Sequence, residues 1–182
     1  MRKMIGLCAV SVMSLAVLGL PSLARQTSKR PSPPEKAECT LPSGKTITTS
    51  YSSPRMKGRK IFASDGLVPF GKVWRAGANE ATTFVTTADL TVEGKDVPAG
   101  SYTIFVVPNP DKWSLIINKK TGEWGIPYKY ESEELARVDM QVSQLPSPME
   151  NFTISYQQAG GGCTLSMDWE TTRASVTFHE KK

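Results

Sequence analysis

The stretch Ser101-Tyr102-Thr103-Ile104-Phe105-Val106-Val107, the turn Pro108-Asn109-Pro110-Asp111 and the run Lys112-Trp113-Ser114-Leu115-Ile116-Ile117-Asn118 decide the fold class. In an extended chain successive side chains point to opposite faces, so Tyr102, Ile104 and Val106 share one face and Phe105 and Val107 the other. Apolar residues on both faces mark a strand that is covered on both sides, which makes 101–107 the expected central strand. Beyond the turn, Trp113, Leu115 and Ile117 again point one way.

Working outward, the same two-residue period recurs. Before the central strand it appears in Ile47, Thr49 and Tyr51, then in 82–87, in 90–92 with a turn at Glu93-Gly94, and at Val97. After it come Val138, Met140 and Val142, then Phe152, Ile154 and Tyr156. Past Gly160-Gly161-Gly162 follow Cys163, Leu165, Met167 and Trp169, and finally Ala174, Val176 and Phe178. These make nine to ten strands with no helix-period segment to build parallel crossovers. The expected fold is all-β, an antiparallel β-sandwich with which a jelly-roll order is compatible, and its one short helical turn falls at 131–135. Its expected core includes Tyr102, Ile104, Phe105, Leu115, Met140, Phe152, Leu165, Met167 and Trp169.

A chain of 182 residues suits one domain with a sizeable core. Arg2 and Lys3, an uncharged apolar run over 5–20, and Ser22-Leu23-Ala24 form the pattern of a cleaved export signal, with cleavage expected after Ala24. Gly6, Ser11, Ser14, Gly19 and Pro21 interrupt that run, which is short for a bilayer of about 30 Å, so no integral membrane segment is expected after cleavage. The segment 25–38, with Pro31, Pro33 and Pro34 among polar residues, reads as a tether, and 39–180 as the domain. Export makes the protein periplasmic or secreted. In an oxidising compartment Cys39 and Cys163, the two cysteines beyond the leader, are expected to pair.

Removing Arg2 and Lys3 with the leader lowers the formal net charge from +5 to +3. Between Arg55 and Glu80 stand Arg55, Lys57, Arg59, Lys60, Lys72 and Arg75 against Asp65 and Glu80 alone, so the surplus lies in one segment. That balance does not point to nucleic acid; it marks a local surface that attracts anions, or else a solvated basic face. The segment alternates poorly and is too apolar for a linker, with Ile61, Phe62, Val68, Phe70, Val73 and Trp74, which makes it a long functional connection. Within it Arg55, Arg59 and Arg75 present planar forks that match carboxylate or phosphate oxygens. Asn79 can donate and accept, and Glu80 can orient an arginine or take a proton. Trp74, beside a glycine turn, and Trp124, in a glycine loop, offer stacking surfaces to a ligand, with core packing as the other role for Trp74. Trp113 and Trp169 lie on apolar strand faces and belong to the core.

Several chemistries are excluded. The one histidine, His179, lies near the C-terminus on a polar strand face, a poor place to hold a catalytic base. His and Cys ligands are too few for zinc or copper, no Asp-rich loop suggests calcium, and no cofactor is implied. Asp168 and Glu170 share a strand face, where such a pair is ordinarily solvated. The sequon Asn151-Phe152-Thr153 falls on a strand.

Ser53-Pro54-Arg55-Met56-Lys57-Gly58-Arg59, the run from Leu67 through Val73-Trp74-Arg75-Ala76-Gly77-Ala78-Asn79-Glu80, Pro98-Ala99-Gly100-Ser101-Tyr102-Thr103 and 113–118 together resemble domain of unknown function family 2911 (DUF2911), exported bacterial proteins. The resemblance covers about residues 46–178. It implies an exported bacterial protein of one domain, with no established activity and no catalytic residue to carry over. The functional expectation is a binding module for a small acidic or sugar-like ligand, using Arg55, Arg59, Trp74, Arg75, Asn79, Glu80 and Trp124. A hydrolase with Glu80 as acid or base, and a structural or envelope-interaction protein without a small-molecule site, are the alternatives.

Overall fold

A computed structural model describes residues 30–181; the leader expected over 1–24 and the first part of the tether lie outside the described residues. Among the described residues the chain forms eleven strands. β1 (Pro34–Thr40) and β2 (Thr46–Ser52) make a hairpin, extended by β5 (Thr83–Thr86), β8 (Gly100–Val107) and β9 (Lys112–Asn118). The long β10 (Glu134–Ala159) and β11 (Gly162–Glu180) follow, then β6 (Leu90–Val92) and β7 (Lys95–Val97). These nine strands form one antiparallel sheet in the order β1-β2-β5-β8-β9-β10-β11-β6-β7. A separate parallel pair, β3 (Phe62–Ala63) and β4 (Val68–Pro69), lies in the basic connection.

The sheet becomes sandwich-like because β10 and β11 serve two layers. The first half of β10 pairs with β9, and its second half pairs with the start of β11 after register shifts between Gln144 and Met149 and between Met149 and Thr153. Such irregularities bend a strand. The bend carries apolar side chains of β10 and β11 onto those of β2, β5 and β8, with Phe84 5.0 Å from Phe178 and Tyr51 5.7 Å from Phe152 between ring centroids. Across the seam the Ile154 N–H donates to the Tyr51 hydroxyl at 3.0 Å, Thr49 and Tyr156 share a 2.7 Å hydrogen bond, and Cys39 is joined to Cys163. The sheet still has open edges at β1 and β7 and is not a closed barrel.

β8 is fourth of the nine strands, between β5 and β9, and both its faces are covered. Tyr102, Ile104 and Val106 belong to the main core, while Phe105 forms a smaller outer core with Ala81 and Ile116. The loop 119–130 covers that outer core through Tyr128 and Tyr130, whose rings lie 4.8 and 6.3 Å from Phe105. Tyr128 donates to Glu134 at 2.7 Å, and Arg137 donates to the same carboxylate at 2.7 and 3.2 Å.

The structure corrects four expectations. Residues 34–38 are not tether but the start of β1, since an edge strand can carry Pro34 where no donor is needed and its other backbone groups pair with β2. The strands expected around Val138–Val142 and Phe152–Tyr156 are one bent strand, as are the last two, because a bulge interrupts alternation without ending pairing. The helical turn is shorter than expected, a 3-10 turn over Glu131–Glu133, and Leu135 already belongs to β10. Asp168 is not solvated: it is 5% exposed and accepts a bidentate pair of hydrogen bonds from Arg173.

Candidate functional site

The basic connection begins where β2 ends. Met56 N–H donates to Glu150 O at 2.7 Å and Phe152 N–H to Pro54 O at 2.9 Å, so residues 54–56 run beside the bend of β10. Trp74 then exchanges two 2.8 Å backbone hydrogen bonds with Val106, which fixes the connection to the end of β8. This places Trp74 in an aromatic cluster, stacked on Trp169 at 5.7 Å and edge-on to Phe152 at 4.8 Å and Phe62 at 6.1 Å. Both roles expected of it meet here, because Trp74 is half-buried in the core and also forms a wall of a cleft.

That cleft encloses about 420 Å³ between the connection, the sheet and the loop 119–130. Arg59, Lys72 and Arg75 line it, and no carboxylate does. Its walls are Trp74, Trp169, Val68 and Pro69, and Leu67 and Ile126 stand at its margin. Leu67, Ile126 and Trp124 are the large hydrophobic residues most exposed among the described residues, and Trp124 lies beneath the Arg75 guanidinium, 5.1 Å from its carbon. The arrangement can hold an anion against apolar walls, and it offers no general base.

The arginines differ in what they already hold. Arg55 donates through one nitrogen to the Ser53 hydroxyl at 2.7 Å and the Ser53 carbonyl at 3.2 Å, and it does not line the cleft. Arg59 donates to the carbonyls of Met56 at 3.0 Å and Arg55 at 2.6 Å through Nε and Nη2, leaving Nη1 without a partner among the described residues. Arg75 uses Nη1 for the carbonyls of Asn79 and Trp124, the latter at 2.7 Å, so its Nε and Nη2 are uncommitted among the described residues. Burial pushes Arg75 below the usual guanidinium value, partly offset by the charge of Glu80.

Asn79 and Glu80 lie outside the cleft lining. Asn79 donates to the Ser32 carbonyl at 3.3 Å, and Glu80 pairs with Arg30 at 3.1 Å on the exposed surface. The Glu80 carboxyl is held below its ordinary value by its own backbone N–H, with Arg30 and Arg75 adding to the effect. A carboxylate so held stays ionised and is a poor proton donor near neutral pH. Of the seven expected residues the structure therefore brings Arg59, Trp74 and Arg75 into the cleft, lays Trp124 against Arg75 without lining it, and leaves Arg55, Asn79 and Glu80 outside it with partners in the chain.

Lys72, Leu67 and Ile126 were not anticipated. Lys72 was legible as a charge of the basic stretch, but Ile126 sits some fifty residues away in a glycine loop and carried no signal. Gly125 is what lets that loop approach. Its φ is +89°, and a Cβ there would come within 2.9 Å of Ala81 and 3.0 Å of Phe105.

Among the described residues no helix is long and apolar enough to cross a membrane, and no group of His, Cys, Asp and Glu could hold a metal ion. No curated protein and no solved structure matches the chain. The family profile described as "Protein of unknown function (DUF2911)" matches residues 32–178, from just before β1 to Phe178 in β11, and the chain belongs to that family.

Proposed function

We propose that the chain is a periplasmic or secreted binding protein for a small organic anion with an apolar body, held in the cleft beside Trp74. One observation carries this reading: Arg59, Lys72 and Arg75 meet aromatic and aliphatic walls in one cleft that contains no carboxylate. Uncommitted guanidinium nitrogens match carboxylate oxygens, and exposed apolar residues gathered at one margin are characteristic of a ligand surface. The volume is within the range of about 300–1,000 Å³ typical of small-molecule sites. Export is supported by the leader pattern and by the Cys39–Cys163 disulfide, a bond at home in oxidising compartments. The hydrolase alternative lacks comparable support, since Glu80 lines no part of the cleft.

A second reading rests on the carbonyl hydrogen bonds of all three arginines, which fit a basic stretch that only packs its own loops. Calorimetry and thermal shift with benzoate, octanoate and inorganic phosphate separate the two. Benzoate or octanoate is expected to raise the unfolding midpoint of the wild type, phosphate to do so less, and Lys72→Glu to weaken binding about tenfold or more, as loss of a charged hydrogen bond implies. If none of the three anions raises the midpoint, or Lys72→Glu binds as the wild type does, the structural reading stands instead.

A further inference from the structure

On the other side of the aromatic cluster lies a second cleft, of about 260 Å³ and opposite electrostatic character. Phe62 is the partition. Its ring is 4.7 Å from Trp113, which lines the second cleft, and 6.0 and 6.1 Å from Trp169 and Trp74, which line the first. Half of the residues around the second cleft carry polar side chains: Asn109, Gln144, Glu170, Thr171 and Thr172. No lysine or arginine lines it.

Three elements bring these groups together. Asn109 comes from the turn between β8 and β9, and Gln144 from β10 at the point where its pairing slips. Thr172 is the direct partner of Gln144 on β11. Glu170 sits at the matching irregularity of β11 with φ +55°, a left-handed conformation that a non-glycine residue rarely adopts. That turn removes Glu170 from the strand face of Asp168. Arg173, the nearest cation in sequence, is bidentate on Asp168, leaving Glu170 without an ion-pair partner among the described residues.

None of the five polar side chains is engaged by another side chain among the described residues, and no buried polar side-chain atom there lacks a partner. The free groups therefore face solvent in a concave site, where their hydrogen-bonding capacity is open to a ligand. Their chemistry selects the occupant. An unpaired carboxylate repels anions and accepts two hydrogen bonds; the amides of Asn109 and Gln144 both donate and accept, as do the threonine hydroxyls. Neighbouring hydroxyls of a sugar need that mixture, because each donates and accepts. Phe62 and Phe70, half-buried at the cleft, give the ring's C–H face an apolar surface. A volume just below that of drug-sized sites suits a single ring.

We propose that this cleft binds a neutral sugar ring, with Glu170 and Gln144 as the principal hydrogen-bonding groups. The test is NMR titration of the ¹⁵N-labelled protein with methyl α-glucopyranoside, methyl α-mannopyranoside and methyl β-galactopyranoside, with choline as an organic cation and benzoate as an anion. At least one glycoside should shift the amides of Gln144, Thr171 and Thr172, and Glu170→Gln and Gln144→Ala should each weaken it about tenfold or more. Gln144 is exposed, so its variant keeps the test valid if Glu170→Gln does not fold. The proposal is overturned if no glycoside moves those amides, if both variants bind as the wild type does, or if choline alone binds. Lys72→Glu, which alters only the basic cleft, should leave glycoside binding unchanged; a loss there also overturns the assignment to this cleft.

Discussion

One aromatic cluster stands as a wall between the two clefts, which have no lining residue in common and differ in almost everything else. The basic cleft is built by irregular chain: the connection 53–82 and the loop 119–130 bring Arg59, Lys72, Arg75 and Ile126 to it, and its arginines also brace those loops through carbonyl hydrogen bonds. The acidic cleft is built mainly by strands, at a bulge where the register between β10 and β11 shifts, and its polar groups brace nothing. Side chains that hold a loop together are expensive to mutate and ambiguous in function, whereas side chains held by a sheet and bonded to no other side chain are open to a ligand. The same anion-binding chemistry in Arg75 thus says less about function than a lone carboxylate does in Glu170.

The largest effect that would test the shared wall is Trp169→Ala. Trp169 is 1% exposed and packs on Trp74, Phe152 and Phe62, so its removal should cost about 3–5 kcal/mol in urea unfolding and weaken ligands of both clefts. A variant that lost one cleft and kept the other would break the idea of a common wall. Reduction of Cys39–Cys163, or the double serine variant, should destabilise by up to about 5 kcal/mol on the chain-entropy account, given a separation of 124 residues, with about 2–4 kcal/mol the usual range for a disulfide. Because the disulfide lies among neither set of lining residues, binding to the remaining folded protein should be unchanged.

Gly125→Ala separates the clefts more finely. The added methyl would press on Ala81 and Phe105 at a left-handed φ, so a loss of about 1–3 kcal/mol in thermal or urea unfolding is expected. Ile126 and Trp124 should move with the loop, so benzoate binding should fall while glycoside binding holds. The smallest effect concerns pH. Burial alone would raise Glu134, but hydrogen bonds from Arg137 and then Tyr128 outweigh it and set the carboxyl below its ordinary 4.5. A depressed carboxyl contributes stability that is fully present above its unfolded value and lost as pH falls through the folded one. Trp124 fluorescence should therefore report loosening of the loop only below about pH 4.5, and Glu134→Gln should flatten that acid limb.

Much of the fold was legible because alternation is a local signal. Apolar residues on both faces of 101–107 required two layers of cover, and β8 has them, with Ile104 in one core and Phe105 in the other. The pairing of Cys39 with Cys163 followed from their number and compartment. Strand continuity was less legible. A bulge breaks alternation in the same way that a strand end does, so β10 and β11 each looked like two strands.

The site was legible only as a region. Composition alone located the basic stretch, because six cations against two acids within one connection need no contact to be counted. Which of those cations line the cleft depended on where the chain carries them, through Trp74 pairing with Val106 and the loop 119–130 folding back over Phe105. Asp168 and Glu170 show the limit most sharply. Two residues apart on a strand they should share a face and a fate, yet one is buried against Arg173 and the other is free at a cleft. The sequence by itself determined the strand class, the disulfide partners and the seat of the charge, since these follow from residue type and short-range period. Tertiary structure alone decided the two clefts, because each is an intersection of segments far apart in the chain, and a left-handed turn at a single residue redirected the carboxylate that distinguishes them.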